Sequence, residues 1–263
     1  MKQRIDLVTI IGLAMLLIPL STMWHEIGGH AAACAVQGGR VTTIGAFYVD
    51  CEGLAGWRDI VVAIAGVGVN TVAALVAYAL WRRARGDLAR LVLWYVWVGQ
   101  AFVAAGYFCF SGVSGFGDLG TGTGGSLATL PGAIPIRLGE IVFGIGAYIL
   151  LVFAAIRALN TMLGTGPDTR GTRRRIAHGY YVVAGASAVL VGLLNPVGLL
   201  ITILSAAASS FGGLAGLISV GYAVSDSGEA KDFRIARNWV VFGAGALVLA
   251  GFAVILGPSI ELL

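Results

Sequence analysis

Long apolar runs recur along the whole chain, and they constrain its fold more than any other feature. Of the 263 residues, 58% are hydrophobic and 11% are charged, whereas soluble domains carry roughly 25% charged residues. A run of about 20 apolar residues is long enough to cross the hydrocarbon core of a bilayer as a helix. The runs predict seven membrane spans, at residues 5–36, 60–81, 88–110, 138–159, 176–194, 198–222 and 239–256.

We therefore expect an all-α fold, a polytopic transmembrane helical bundle in the lipid bilayer that forms a single integral membrane domain over residues 1–263. Residues 38–57 interrupt the pattern, because their loose alternation favours a short strand-like hairpin or a surface loop after the first span. Residues 1–136 would contain spans one to three, and residues 137–263 the additional spans. A re-entrant sixth span would change the count by one.

Basic residues cluster in alternate connections, and this distribution predicts the orientation of the chain. Lys2 and Arg4 precede the first span, and further clusters link the second span to the third, the fourth to the fifth and the sixth to the seventh. The other connections hold only Arg40, Arg58 and Arg137. We expect an integral protein of a bacterial cell membrane, with the N-terminus cytoplasmic and the C-terminus outside. Short clusters of this kind do not indicate a nucleic-acid partner.

Two of the chain's three histidines flank a glutamate in the sequence His25-Glu26-Ile27-Gly28-Gly29-His30, inside the first predicted span. Ionisable side chains at membrane depth cost about 2.5–3.5 kcal/mol each, and a bound ion can recover that cost. In the common zinc motif HExxH, the histidines lie four residues apart on one helical face. Here they are five apart, which on a regular α-helix rotates the second by about 140°.

A π-type turn would bring residues five apart onto one face, and the two glycines of the motif can accommodate it. The sequence therefore predicts a metal site at His25 and His30. The alternative is a buried hydrogen-bonded cluster without metal.

Two further alternatives concern the N-terminal region. The first apolar run also resembles a signal peptide, but the charged motif would interrupt such a peptide, so we expect the run to remain as the first span.

The three cysteines, Cys34, Cys51 and Cys109, match neither a disulfide framework nor a CxxC metal site. Pairing of Cys34 with Cys51 is possible but is not the favoured interpretation.

Three segments together resemble the site-2 protease family of intramembrane zinc metalloproteases. That family carries HExxH on one transmembrane helix, G-P-x-x-N on the next, and an Asp-Gly-type motif with the third metal ligand. The corresponding segments here are HEIGGH, AGVGVN at residues 65–70 and GFGDLG at residues 115–120. The HExxGH spacing is also similar to the zinc motif of a soluble dipeptidyl peptidase family. The resemblance covers about residues 20–125.

The resemblance implies a zinc metalloendopeptidase that hydrolyses peptide bonds of membrane-embedded protein substrates. His25, His30 and Asp118 would bind one Zn²⁺ per chain, and Glu26 would be the base that activates a zinc-bound water. Asn70 would be a substrate-binding residue or a polar bridge between helices. Residues 39–53 would hold an unwound substrate by strand addition.

Two other functions remain open at this point. A non-catalytic relative would keep the metal or the fold and act as a scaffold or regulator. A transporter or channel would use the His/Glu cluster to relay protons or cations.

Overall fold

One long helix carries the histidine motif, as the first apolar run predicts. The computed structural model describes residues 3–122 and 125–262, so Lys2 lies outside it. After strand β1 (Arg4–Ile5), helix α1 (Leu7–Met23) continues through a π-helical segment, Trp24–Ala31, into α2 (Ala32–Val36). These three segments form a single helical body of 30 residues.

The interruption after the first span is a β-hairpin, as the alternation of residues 38–57 predicts. Strand β2 (Arg40–Ile44) pairs antiparallel with β3 (Val49–Glu52). The disulfide between Cys34 and Cys51, the pairing that the sequence did not favour, ties the hairpin to the end of the first helical body.

The rest of the chain is mostly helical. Its elements are α3 (Trp57–Arg83), α4 (Asp87–Ser114), α5 (Ala133–Leu163), a 3₁₀ turn (Pro167–Thr169), α6 (Arg170–Gly192), α7 (Leu199–Ile201), a π-helical segment (Thr202–Gly212), α8 (Gly216–Tyr222), β4 (Arg234–Ile235), α9 (Trp239–Ile255) and β5 (Ile260–Glu261).

Five helical bodies in the described part of the chain are long and apolar enough to cross a membrane. They are Leu7–Val36, Trp57–Arg83, Asp87–Ser114, Ala133–Leu163 and Thr202–Tyr222. The fifth and seventh predicted spans are helices too. However, α6 begins with a basic run, and α9 has only 17 residues.

Small sheets and long-range hydrogen bonds gather the connections at two ends of the bundle. At one end, which we call the basic end, β1 pairs with β4, and residues 84–86 and 164–169 lie beside them. At the other, the hairpin end, β2 pairs with both β3 and β5. The first helical body and α9 both run from the basic end to the hairpin end, and both lie beside α6 in the bundle. The core between the helices includes fully buried Trp94, Phe102 and Leu159.

Candidate metal centre

The histidine motif coincides with the π-helical segment of the first helical body. Backbone hydrogen bonds in a π-helix join residues five apart, so His25 and His30 lie on the same face. Their Nε2 atoms are 3.1 Å apart, and the two rings meet edge to face. The π-type turn that the spacing predicts is therefore present.

Close approach of α3 to this face depends on two glycines. A Cβ atom at Gly29 would lie 2.7 Å from the Cα of Gly66. A Cβ atom at Gly66 would lie 2.5 Å from His30 Nε2 and 2.6 Å from His25 Nε2. Cβ atoms do not pack this closely, so any larger side chain at Gly66 would occupy the space in front of the histidine nitrogens.

Asp118 reaches the histidines from the loop that follows α4. Gly115 ends the helix with a φ of 77°, and Gly117 has a φ of 84°. Both values lie in the left-handed region that glycine adopts without strain. These turns direct the chain back towards the π-helical segment, where Asp118 Oδ2 lies 3.3 Å from the Nε2 atoms of both His25 and His30.

The three atoms form a nearly equilateral triangle, with sides of 3.1, 3.3 and 3.3 Å. Tetrahedral zinc with nitrogen and oxygen ligands at about 2.0–2.1 Å has ligand–ligand edges of about 3.3–3.4 Å. The spacing therefore fits a single ion, and the group His25, His30 and Asp118 could hold one. Three protein ligands would leave a fourth position for water or substrate.

A backbone carbonyl fixes the tautomer of His30. Its Nδ1 lies 2.8 Å from the carbonyl oxygen of Val62. Because a carbonyl only accepts, Nδ1 carries the hydrogen. In the neutral ring Nε2 therefore presents its lone pair to the site, the arrangement found in metal-binding histidines. His25 is held differently, since its ring stacks on that of Tyr107 with centroids 4.9 Å apart and planes 10° from parallel.

Electrostatics at the site favour an ionised aspartate. Burial alone would raise the pKa of the Asp118 carboxyl, but the neighbouring His30 and His25 imidazoles outweigh burial and hold that pKa below its usual range. A carboxylate that stays ionised is the form that binds a cation. The loop thus supplies a negative charge beside the two histidines.

Glu26 lines two cavities at once. The main cavity, of about 390 Å³, is also lined by His30, Asp118 and residues 48–51 of the hairpin. The smaller cavity, of about 50 Å³, is also lined by His25 and Asn70. Glu26 is only 5% exposed, and no hydrogen bond or ion pair joins its carboxylate to another residue in the described ranges. Its oxygens are therefore available to a molecule in either cavity.

Asn70, which the resemblance offers as a substrate-binding residue, lies only in the smaller cavity. It is 2% exposed, and its Oδ1 has no hydrogen-bond partner within residues 3–122 and 125–262. Asn70 and Glu26 therefore both line the smaller cavity, and Asn70 lies outside the lining of the main cavity.

Two contributors to the site were missed by sequence reasoning. The contribution of the Val62 carbonyl cannot be recognised in the sequence, because every residue has a backbone carbonyl. Tyr107 offered only a weak signal, a polar aromatic residue within an apolar span.

The hairpin presents a strand edge to the main cavity. In the three-stranded sheet, β3 lies at one side of β2, and its other edge is unpaired among the described residues. Successive residues of a strand point to opposite faces, whereas Val49, Asp50 and Cys51 of β3 all line the cavity. The cavity therefore meets the edge of the strand rather than one of its faces.

Comparisons of the chain with models of known protein families, with curated proteins and with solved structures gave no match. The interpretation of the site consequently depends on its own geometry.

Proposed function

We propose that this chain is an intramembrane zinc metalloprotease that hydrolyses peptide bonds of membrane-embedded protein substrates. One observation carries the proposal. His25, His30 and Asp118 converge with atoms 3.1–3.3 Å apart, beside a buried glutamate that has no partner in the described residues and that lines a cavity of about 390 Å³.

The residues of the site suit peptide hydrolysis. Zinc, when bound, lowers the pKa of a coordinated water to about 7 and polarises a carbonyl group. Glu26 would accept a proton from the attacking water and pass it to the amide nitrogen of the leaving chain. The Val62 carbonyl would keep His30 in the binding tautomer throughout.

The hairpin suits an unwound substrate. A transmembrane helix shields its own peptide groups, because each carbonyl is hydrogen-bonded within the helix. The unpaired edge of β3 offers backbone donors and acceptors along the main cavity. An unwound segment would add to this edge as a further strand, with its peptide bond facing Glu26.

We further propose that the chain crosses a bacterial cell membrane seven times, with its N-terminus in the cytoplasm. The contacts at the two ends of α6 support this count. The helix begins shortly after Gly164, which lies at the basic end. Asn195, which follows the last residue of the helix closely, contacts Ser259 at the hairpin end. Helix α9 spans the same two ends and is about 26 Å long, which a locally thinner bilayer accommodates.

The proposed orientation is supported at both ends. Basic clusters favour the cytoplasm. The disulfide of Cys34 and Cys51 lies at the hairpin end, and disulfides persist in oxidising compartments outside the cytoplasm.

The decisive experiment measures zinc per purified chain by mass spectrometry, together with cleavage of single-span transmembrane peptides. We expect about one zinc in the wild type and in Glu26→Gln, and little in His30→Ala or Asp118→Ala, as for a three-ligand site. Only the wild type should cleave.

Other results would contradict parts of this proposal. A folded wild type that takes up no zinc would refute the protease, and ion-dependent flux in proteoliposomes would then favour a transporter. Zinc binding without cleavage would favour a scaffold. Zinc retained by Asp118→Ala would mean a different third ligand.

A further inference from the structure

We propose that Tyr107 is a further catalytic residue, whose hydroxyl donates a hydrogen bond to the substrate carbonyl oxygen as that oxygen gains negative charge. This inference rests on the proposed function. It assigns a second stabilising group to the reaction, in addition to the metal and to Glu26.

Tyr107 is held directly against the candidate metal centre. It lies on α4, and its ring is stacked parallel to the ring of His25. Stacking of this kind fixes the orientation of both rings, since two aromatic planes in contact restrict each other's rotation. Like Glu26, Tyr107 lines both cavities.

The Tyr107 hydroxyl is free to donate. It makes no hydrogen bond to any residue of the ranges that the structure describes, whereas the other tyrosine hydroxyl in the main cavity, that of Tyr48, lies 3.0 Å from Ser259 Oγ. Ser209 Oγ in the same lining donates to the carbonyl of Ser205 at 2.7 Å. Tyr107 is thus an uncommitted donor in this lining that also packs on a proposed ligand.

The charges that line the main cavity favour a neutral donor of this kind. Four carboxylates line the main cavity, those of Glu26, Asp50, Asp59 and Asp118. The described lining contains no lysine, arginine, asparagine or glutamine side chain that could donate a hydrogen bond. A carboxylate would repel a developing oxyanion, whereas a neutral hydroxyl would stabilise it. Asn70 does not fill this role in the main cavity, because it lines only the smaller one.

The test compares Tyr107→Phe with the wild type on a quenched-fluorescent transmembrane peptide that has a Gly-Ser pair at its midpoint. Phenylalanine keeps the stacked ring and removes only the hydroxyl. Loss of one oxyanion donor typically lowers kcat by about 10²–10³-fold, so we expect a fall of that size with KM and zinc content unchanged. The matched control is Tyr181→Phe, which removes a hydroxyl that donates to the Phe211 carbonyl, because neither residue lines either cavity.

A second readout does not depend on turnover. A phosphinic peptide imitates the tetrahedral transition state, so Tyr107→Phe should weaken its binding, measured by thermal shift, while zinc affinity is preserved. A wild-type kcat in Tyr107→Phe would refute this role alone. Loss of zinc from Tyr107→Phe would refute it in favour of a positioning role through His25. Absence of cleavage by the zinc-loaded wild type would refute both the role and the proposed function.

Discussion

Gly66 decides how closely the backbone of α3 approaches the two histidines. A side chain at this position would collide with the Nε2 atoms of His25 and His30. The space that a metal ion would occupy therefore depends on the absence of a side chain, as much as on the ligands themselves.

We expect Gly66→Ala to abolish metal binding. The added methyl would lie 2.5 Å from His30 Nε2, and relief of that contact would separate the helices at a typical cost of about 1–3 kcal/mol in stability. The matched control is Gly68→Ala on the same helix, where a Cβ atom meets nothing within 4 Å. Zinc per chain and the melting temperature of both variants in detergent would test this. Full zinc content in Gly66→Ala would show that the metal lies elsewhere.

Part of the site could be predicted from single residues. His25, Glu26 and His30 are neighbours in the sequence, so the chain itself brings them together. The approach of Asp118 depends on the left-handed turns at Gly115 and Gly117, and the sequence alone did not specify where those turns point. It was the family resemblance that indicated Asp118.

The π-helical segment is the element that makes a five-residue histidine spacing compatible with one metal. Its occurrence could be predicted, because only a local departure from α-helical geometry aligns residues five apart. The disulfide could not be predicted, since it depends on the turn between β2 and β3 that returns Cys51 to the end of α2.

Deletion of Gly28 should preserve the metal site. The deletion restores the HExxH spacing, and residues four apart differ by only about 40° on an α-helix, so the histidines would still converge. Insertion of one alanine after Gly28 should abolish binding, because residues six apart differ by about 120° around an α-helix and lie about 9 Å apart along its axis.

Zinc per chain in the two length variants is the measurement. Equal binding by the insertion and the deletion variants would contradict the role assigned to the π-helical segment.

The basic run at the start of α6 shows a limit of charge patterns as a guide to structure. Basic residues between predicted spans are expected to lie at the membrane surface, but Arg173 is fully buried. Its guanidinium donates to the Gly164 carbonyl at 2.6 Å and to the side chains of Thr169 and Asn160. A cation at the C-terminal end of α5 is favoured by the helix dipole, so this arginine stabilises the α5–α6 connection.

At the scale of the whole molecule, apolar runs predicted where helices occur, and the short strands determine how the ends are arranged. Strands of two residues carry no alternation that a sequence can reveal. Nevertheless, the pairing of β1 with β4 and of β2 with β5 places the N-terminal strand and the C-terminal strand at opposite ends of the bundle. Opposite ends require an odd number of crossings.

We therefore expect the C-terminus to lie outside the cytoplasm. Alkaline phosphatase fused after residue 262 through a long linker should be active, because it folds only in an oxidising compartment, and a fluorescent protein at the same position should be dark. Fusions in the connection at residues 84–86 should give the reverse pattern, since that connection lies at the basic end beside β4. A cytoplasmic C-terminus would mean that the bundle is inverted, with the N-terminal strand outside, because β1 and β5 lie at opposite ends. Because β5 pairs with the hairpin, that result would also place the metal centre on the cytoplasmic side, where the Cys34–Cys51 disulfide would be exposed to reduction.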